Sequence, residues 1–249
     1  MNMNEINRRP SVEVLNKPKT YIDEGLRQYM IKVFNYMGAG LCVTALMAYL
    51  VANTGLIQFF YNVNPQTQTA SLSFLGWVVA LAPLAMIFAF QYVLSRKSLA
   101  AAQLMFWGFS ALMGASLANI FLVYTAASMT RVFLISAATF GAMSLYGYTT
   151  KRDLSKFGSF LFMGLIGLII ASLVNIFLQS SALYYALSYI GVAIFVGLTA
   201  YDIQKVKSIY YDSDTQDIAS RKAISGALSL YLDFVNLFLN LLSILGDRR

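Results

Sequence analysis

The chain has 249 residues, of which 58% are apolar and only 12% charged. Soluble domains carry about twice that charged fraction, and disorder needs low hydrophobicity with high charge, so the composition excludes both. What fits is a helical protein that crosses a membrane several times, since one spanning helix takes about 20 apolar residues. The net charge of +7 does not point to nucleic acid, because the 18 Lys and Arg are scattered between hydrophobic segments and form no basic face. There is no His, so a pH response near neutrality must come from carboxylates. Cys42 is the single cysteine, which rules out an internal disulfide. It is expected in helix packing.

In chain order, residues 1–27 read as a polar tail of mixed charge with Pro10 and Pro18. Residues 28–249 read as one membrane domain. Seven apolar runs follow the tail, at 28–52, 72–94, 99–124, 129–149, 154–178, 182–210 and 222–245. Glycines inside them allow helices to approach closely in lipid. Basic residues collect in the tail and in the second, fourth and sixth connections, at Arg96, Lys97, Lys151, Arg152, Lys156, Lys205, Lys207, Arg221 and Lys222. The other side holds Arg131, Arg248 and Arg249. Cytoplasmic loops collect Lys and Arg, which predicts a cytoplasmic N-terminus. Seven full spans then put the C-terminus on the other side; the basic ending GDRR would also suit a last segment that folds back.

The third run ends in ASLANIFL (residues 115–122) and the fifth in ASLVNIFL (171–178), identical at seven of eight positions. A shorter version, VNLFL, occupies 235–239 of the last run. The echo allows a parallel two-helix duplication of the kind found in transporters. The plainer reading is that Asn119, Asn175 and Asn236 hydrogen-bond between helices.

Two acids lie within the spans, Asp202 in VGLTAYDIQKVK and Asp233 in ISGALSLYLDFVNLFLNLLS. An ionisable group at such a position is costly, so it marks a pathway or a relay and has a partner. No Lys or Arg is available deep in the other spans, which leaves the two acids as each other's neighbours. The intervening loop centres near their midpoint, so antiparallel helices bring both carboxylates to nearly the same depth, roughly 12 to 16 Å from helix ends placed at 210 and 222. Along the last span Ser229, Asp233, Asn236, Asn240 and Ser243 make one polar face, and Thr199 lies a turn before Asp202. These five groups and Thr199 are the candidate lining of a polar path, with the last helix at the centre of the bundle. Two carboxylates in a low-dielectric site do not readily both ionise, because desolvation and like-charge repulsion oppose the second charge. They are expected to share a proton and titrate together. With one proton the pair ties the sixth span to the seventh. With none it repels itself and offers hard oxygens to a cation, Ca²⁺ before softer metals. Asp202 and Asp233 are thus also the candidate transient Ca²⁺ ligands. A proton-sharing staple with no transport role, and a catalytic aspartyl pair, are the competing readings. Neither acid stands in the Gly-Asp setting of intramembrane proteases. The loop acids Asp212, Asp214 and Asp217 read as a solvated loop or as a cation-attracting mouth. No soluble-enzyme motif is present, so no enzymatic activity and no cofactor are expected.

AYDIQKV, followed about 30 residues later by LSLYLDFVNLFLNLLSILG, resembles the signature of the Bax inhibitor-1 family, the transmembrane Bax inhibitor motif proteins. The resemblance implies a seven-helix bundle with the last helix central, and a pH-sensitive Ca²⁺ leak. It places Asp202 and Asp233 as the family's di-aspartyl pH sensor. Some members add an Arg in the second span and an acid in the first or second; here 72–94 has no charge, and the first run has only Lys32. The resemblance further implies a bacterial inner-membrane protein whose relatives are connected with a membrane-anchored quality-control protease. A non-conducting modulator of such a protease, through the polar tail, and a cation/proton exchanger are therefore the alternative functions.

Overall fold

The computed structural model describes residues 24–63, 70–96 and 98–249. Its elements are α1 (Glu24–Asn53), α2 (Ile57–Phe60), β1 (Tyr61–Val63), β2 (Ala70–Leu72), α3 (Phe74–Arg96), α4 (Leu99–Ser116), α5 (Ile120–Val123), α6 (Ala126–Thr149), α7 (Ser155–Leu178), α8 (Ser181–Ser208) and α9 (Gln216–Leu245). Among the described residues, seven helical segments are long and apolar enough to cross a bilayer, α4 and α5 together making one of them. The protein is an all-α membrane bundle.

Capping chemistry sets several of the boundaries. Ser98, Thr125, Ser180 and Thr215 each stand before a helix and accept the backbone N–H three residues on, from Ala101, Ser128, Leu183 and Ile218. Each bond satisfies one donor that a helix start leaves without a partner. Thr125 starts α6 three residues before the apolar run at 129, and Thr215 starts α9 six residues before 222. The extra turns of α9 are polar, which is why hydropathy alone misses them. Their charges are paired locally, Arg221 with Asp217 at 2.9 Å and Lys222 with Asp214 at 2.6 Å. The tail expected over 1–27 lies outside the described residues as far as position 23, and from Glu24 onward the chain is already α1. An acid in that first turn complements the positive end of the helix dipole.

Three expectations need correction. The third span is not one helix: residues 117–119 form a turn that separates α4 from α5. The stretch before α3 is not all loop, since α2 leads into an antiparallel pair of strands that matches Tyr61 to Leu72 and Val63 to Ala70. Cys42 is exposed on the outer face of α1 instead of packed inside.

Helix α9 is the axis of the bundle. It packs against α8, α1, α6 and α4, whereas α3 leans mainly on α4 and α7 on α8. Its Tyr231 is fully buried, ringed by Phe106 and Phe109 at centroid distances of 6.4 and 5.6 Å. The Tyr231 hydroxyl lies 2.6 Å from Thr44 Oγ1, which itself bonds to the carbonyls of Gly40 and Ser110. Thr44 has one proton and gives it to those carbonyls, so Tyr231 is the donor in the shared bond. The arrangement fastens α9 to α1 and α4 through polar atoms in an apolar core. At the opposite end from the N-terminus, the last residues clamp the bundle. Thr125 N–H donates to Asp247 O, Arg249 N–H to Val123 O and Asp247 N–H to Ser128 Oγ. Helix α9 therefore runs as one unbroken helix to that end of the bundle and does not fold back.

Candidate functional site

The site begins with the seam between α8 and α9, which run antiparallel. Gly226 lets Val206 approach closely, Asn240 sits directly on Gly191, and Ser243 Oγ bonds Ser188 Oγ at 2.9 Å. A Cβ at position 191 would collide with the Asn240 amide and force that side chain to move. Between these contacts Asp202 of α8 faces Asp233 of α9 across the seam, near enough for each carboxyl to act on the charge of the other. Two carboxyl groups can bond only if one of them carries a proton. Asp233 is only 5% exposed, and its Oδ2 is buried without a hydrogen-bond partner. Asp202 is partly buried, and Lys205, about one turn further along α8, is the cation whose charge reaches both acids.

The predicted equal depth holds in space but not along the helices. Asp202 lies six residues from the end of α8, about 9 Å, whereas Asp233 lies seventeen residues into α9, about 26 Å. The early start of α9 makes the difference, because its first turns project past the end of α8.

The remaining candidates divide. Thr199 is fully buried and donates to the carbonyl of Phe195, within its own helix. Asn236 and Asn240 donate to the carbonyls of Leu232 and Asn236. Asn240 and Ser243 also line a cavity of 420 Å³ with Ser172, Asn175 and Ser188, at the end of the seam away from the N-terminus. Ser229 is half-buried on the same helix. Asp233, Asn240 and Ser243 of the polar stripe thus follow α8. Of the echoed asparagines, Asn175 accepts from Ser180 N–H at the end of its own helix, and Asn119 is exposed at the turn before α5 and caps nothing. Neither bridges two spans. The two echoed octapeptides also differ in backbone, one broken by a turn and one helical to its end. The loop acids are engaged: Asp214 and Asp217 as above, and Asp212 by the Tyr210 hydroxyl at 2.6 Å.

Residues 26–249 match the family described as inhibitor of apoptosis-promoting Bax1. The chain belongs to this Bax inhibitor family. The Rickettsia prowazekii protein RP147 is 47% identical over 94% of this chain and 95% of its own length. Inner membrane protein YbhL of Escherichia coli K12 is 47% identical over 90% of this chain and 94% of its own. A membrane protein of Streptococcus pyogenes serotype M1 is 37% identical over 91% and 96%.

Sequence reasoning gave no site role to three residues of the stretch 204–207. Gln204 accepts from Leu154 N–H and donates to Arg152 O, fixing the connection between α6 and α7. Lys207 donates to Tyr148 O, fixing the end of α6. Lys205 has a visible signal, its i+3 spacing from Asp202, which places it on the same face.

Proposed function

We propose that this Bax inhibitor family protein is a pH-sensitive cation leak channel with Ca²⁺ as its ion, gated by the shared proton of Asp202 and Asp233. The observation that carries the reading is Asp233: a carboxyl 5% exposed at the centre of the bundle, facing a second carboxyl across the seam of two helices, with one oxygen left without a partner. With one proton, the bridge holds α8 on α9 and the seam is shut. With both groups ionised, the repulsion separates the helices and leaves oxygen ligands on each wall. Lys205 is the nearby charge that moderates the repulsion; the cations on the other packed helices, Arg27 and Lys32 of α1 and Arg131 of α6, are bound to Glu24, Ser220 and Asp247 towards the two ends. The two Asp have no third His, Cys, Asp or Glu beside them among the described residues, a donor set suited to passing contact and not to storage. The location that goes with this reading is a bacterial inner membrane, as printed for YbhL, with the N-terminus cytoplasmic on the distribution of Lys and Arg.

The test is Ca²⁺ entry into dye-loaded proteoliposomes stepped from pH 5 to 8, with wild type, Asp202→Asn, Asp233→Asn and empty vesicles. The channel reading expects a flux whose pH dependence is lost in either variant. Folded protein with no flux above empty vesicles would overturn it, and would favour the non-conducting modulator of a membrane-anchored protease. The exchanger reading gains no support from the fold, since the echoed segments adopt different backbones.

A further inference from the structure

Helices α1 and α6 flank α9 without closing over it, leaving a groove of 930 Å³ open to the bilayer. Its walls are apolar: Phe34 and Gly38 on α1, Ala137 and Gly141 on α6, and Phe234 of α9 at the back. Nothing lies within 4 Å of a Cβ built at Gly38 or Gly141. Two features break the apolar pattern. Ser144 lines the groove, is only 7% exposed, and its hydroxyl has no hydrogen-bond partner. Buried serines elsewhere in the bundle do not behave this way, since Ser110, Ser136 and Ser188 each donate to the carbonyl four residues back. A buried hydroxyl without a partner is costly, so it calls for an acceptor from outside the chain. The second feature is the rim, where Arg27 and Tyr148 line the mouth. Arg27 gives one nitrogen to Glu24, and its guanidinium has further donors.

We propose that this groove is a binding site for one anionic glycerophospholipid, with the phosphate at Arg27, an ester oxygen at Ser144 and an acyl chain against Phe34, Phe140 and Phe234. The dimensions fit. Ser144 lies one turn from Tyr148, about 6 Å along α6, so a polar acceptor is needed just beneath the headgroup. From Arg27 to Leu41, the wall of α1 is about 21 Å long, the depth of one leaflet with its headgroup layer. A docked helix would also cover the apolar walls, but it presents no phosphate to Arg27 at the rim and carries its backbone carbonyls already bonded.

The test uses full-length protein in phosphatidylcholine nanodiscs doped with phosphatidylglycerol, or in a parallel sample phosphatidylcholine, carrying a photoactivatable acyl chain, followed by peptide mapping. The proposal expects groove peptides of α1 and α6 to be labelled about fivefold more by the anionic lipid, while the lipid-facing peptides of α7 are labelled equally by both. Gly141→Leu, which fills open space, removes groove labelling and leaves that of α7. Arg27→Gln, at an exposed position, brings the ratio of the two lipids to about one. Groove labelling no greater than that of α7, or equal labelling by both lipids in wild type, would overturn the proposal. So would a groove that takes no lipid label while an added bifunctional crosslinker joins two copies through the groove peptides, which would mark a second copy as the occupant.

Discussion

Helices α7 and α9 show opposite ways of belonging to a membrane protein. Helix α7 is the more apolar, yet only 6% of its most apolar stretch is buried in the bundle, against 50% for α9. In water the order would be reversed, because burial would follow hydropathy. In lipid the greasiest helix faces the acyl chains, and the helix carrying polar groups is enclosed by the others. Helix α9 can keep Tyr231 and Asp233 because α1 and α4 receive the hydroxyl while α8 receives the carboxyl. The residues are two apart, and so project on nearly opposite sides of the helix.

Breaking the contrast has its largest expected effect where helix backbones touch. Gly147 of α6 packs directly on the backbone of Ala200 in α8, while nothing lies near a Cβ at Gly167 of α7. Gly147→Leu should destabilise the bundle by about 3 kcal/mol, and Gly167→Leu should leave its melting temperature in detergent within error of wild type. Tyr231→Phe comes next, with a loss of about 1 to 2 kcal/mol, because a shared buried hydrogen bond is removed and the Thr44 oxygen loses its donor. Reversible unfolding of the same detergent-solubilised protein reads both. Smaller again is Arg131→Ala, which cuts an exposed pair with Asp247 at 3.0 Å and should cost under about 1 kcal/mol, falling further in high salt.

The smallest effect sharpens the picture of α7, which depends on local capping. Asp153, before its first turn, is held below the ordinary carboxylate range by hydrogen bonds from the Ser155 side chain and N–H. A depressed carboxyl contributes its stabilisation at neutral pH and loses it as pH falls through the folded-state value. Amide exchange at the start of α7 should therefore quicken in acid, at and below the usual carboxylate range, and Asp153→Ala should remove that acid dependence. An unchanged profile in the variant would exclude the cap.

Much of this was legible in the sequence because lipid makes polarity conspicuous. The seven crossings follow from apolar length, and the facing of Asp202 and Asp233 follows from a short loop between two spans with no deep cation to pair with either. What hydropathy could not show were features set by hydrogen bonds within polar stretches. The start of α9 at Gln216 depends on Thr215 and on the pairs made by Asp214 and Asp217. The turn at 117–119 lies in a segment whose near-identical copy at 173–175 stays helical, so its cause is tertiary. The place of Asn240 and Ser243 on the α8 seam follows from Gly191 and Ser188, residues that carry no signal of their own.

The central claim is that Asp202 and Asp233 hold one proton between them across the α8–α9 seam. Infrared difference spectroscopy of the protein in lipid, stepped from acid to alkaline pH, measures it directly through the protonated carboxyl C=O band. The account predicts a band that disappears as the last shared proton leaves, and that shifts in frequency and in pH in both Asp202→Asn and Asp233→Asn. A band that survives unchanged in either variant, or the absence of any such band in wild type at acid pH, would contradict it.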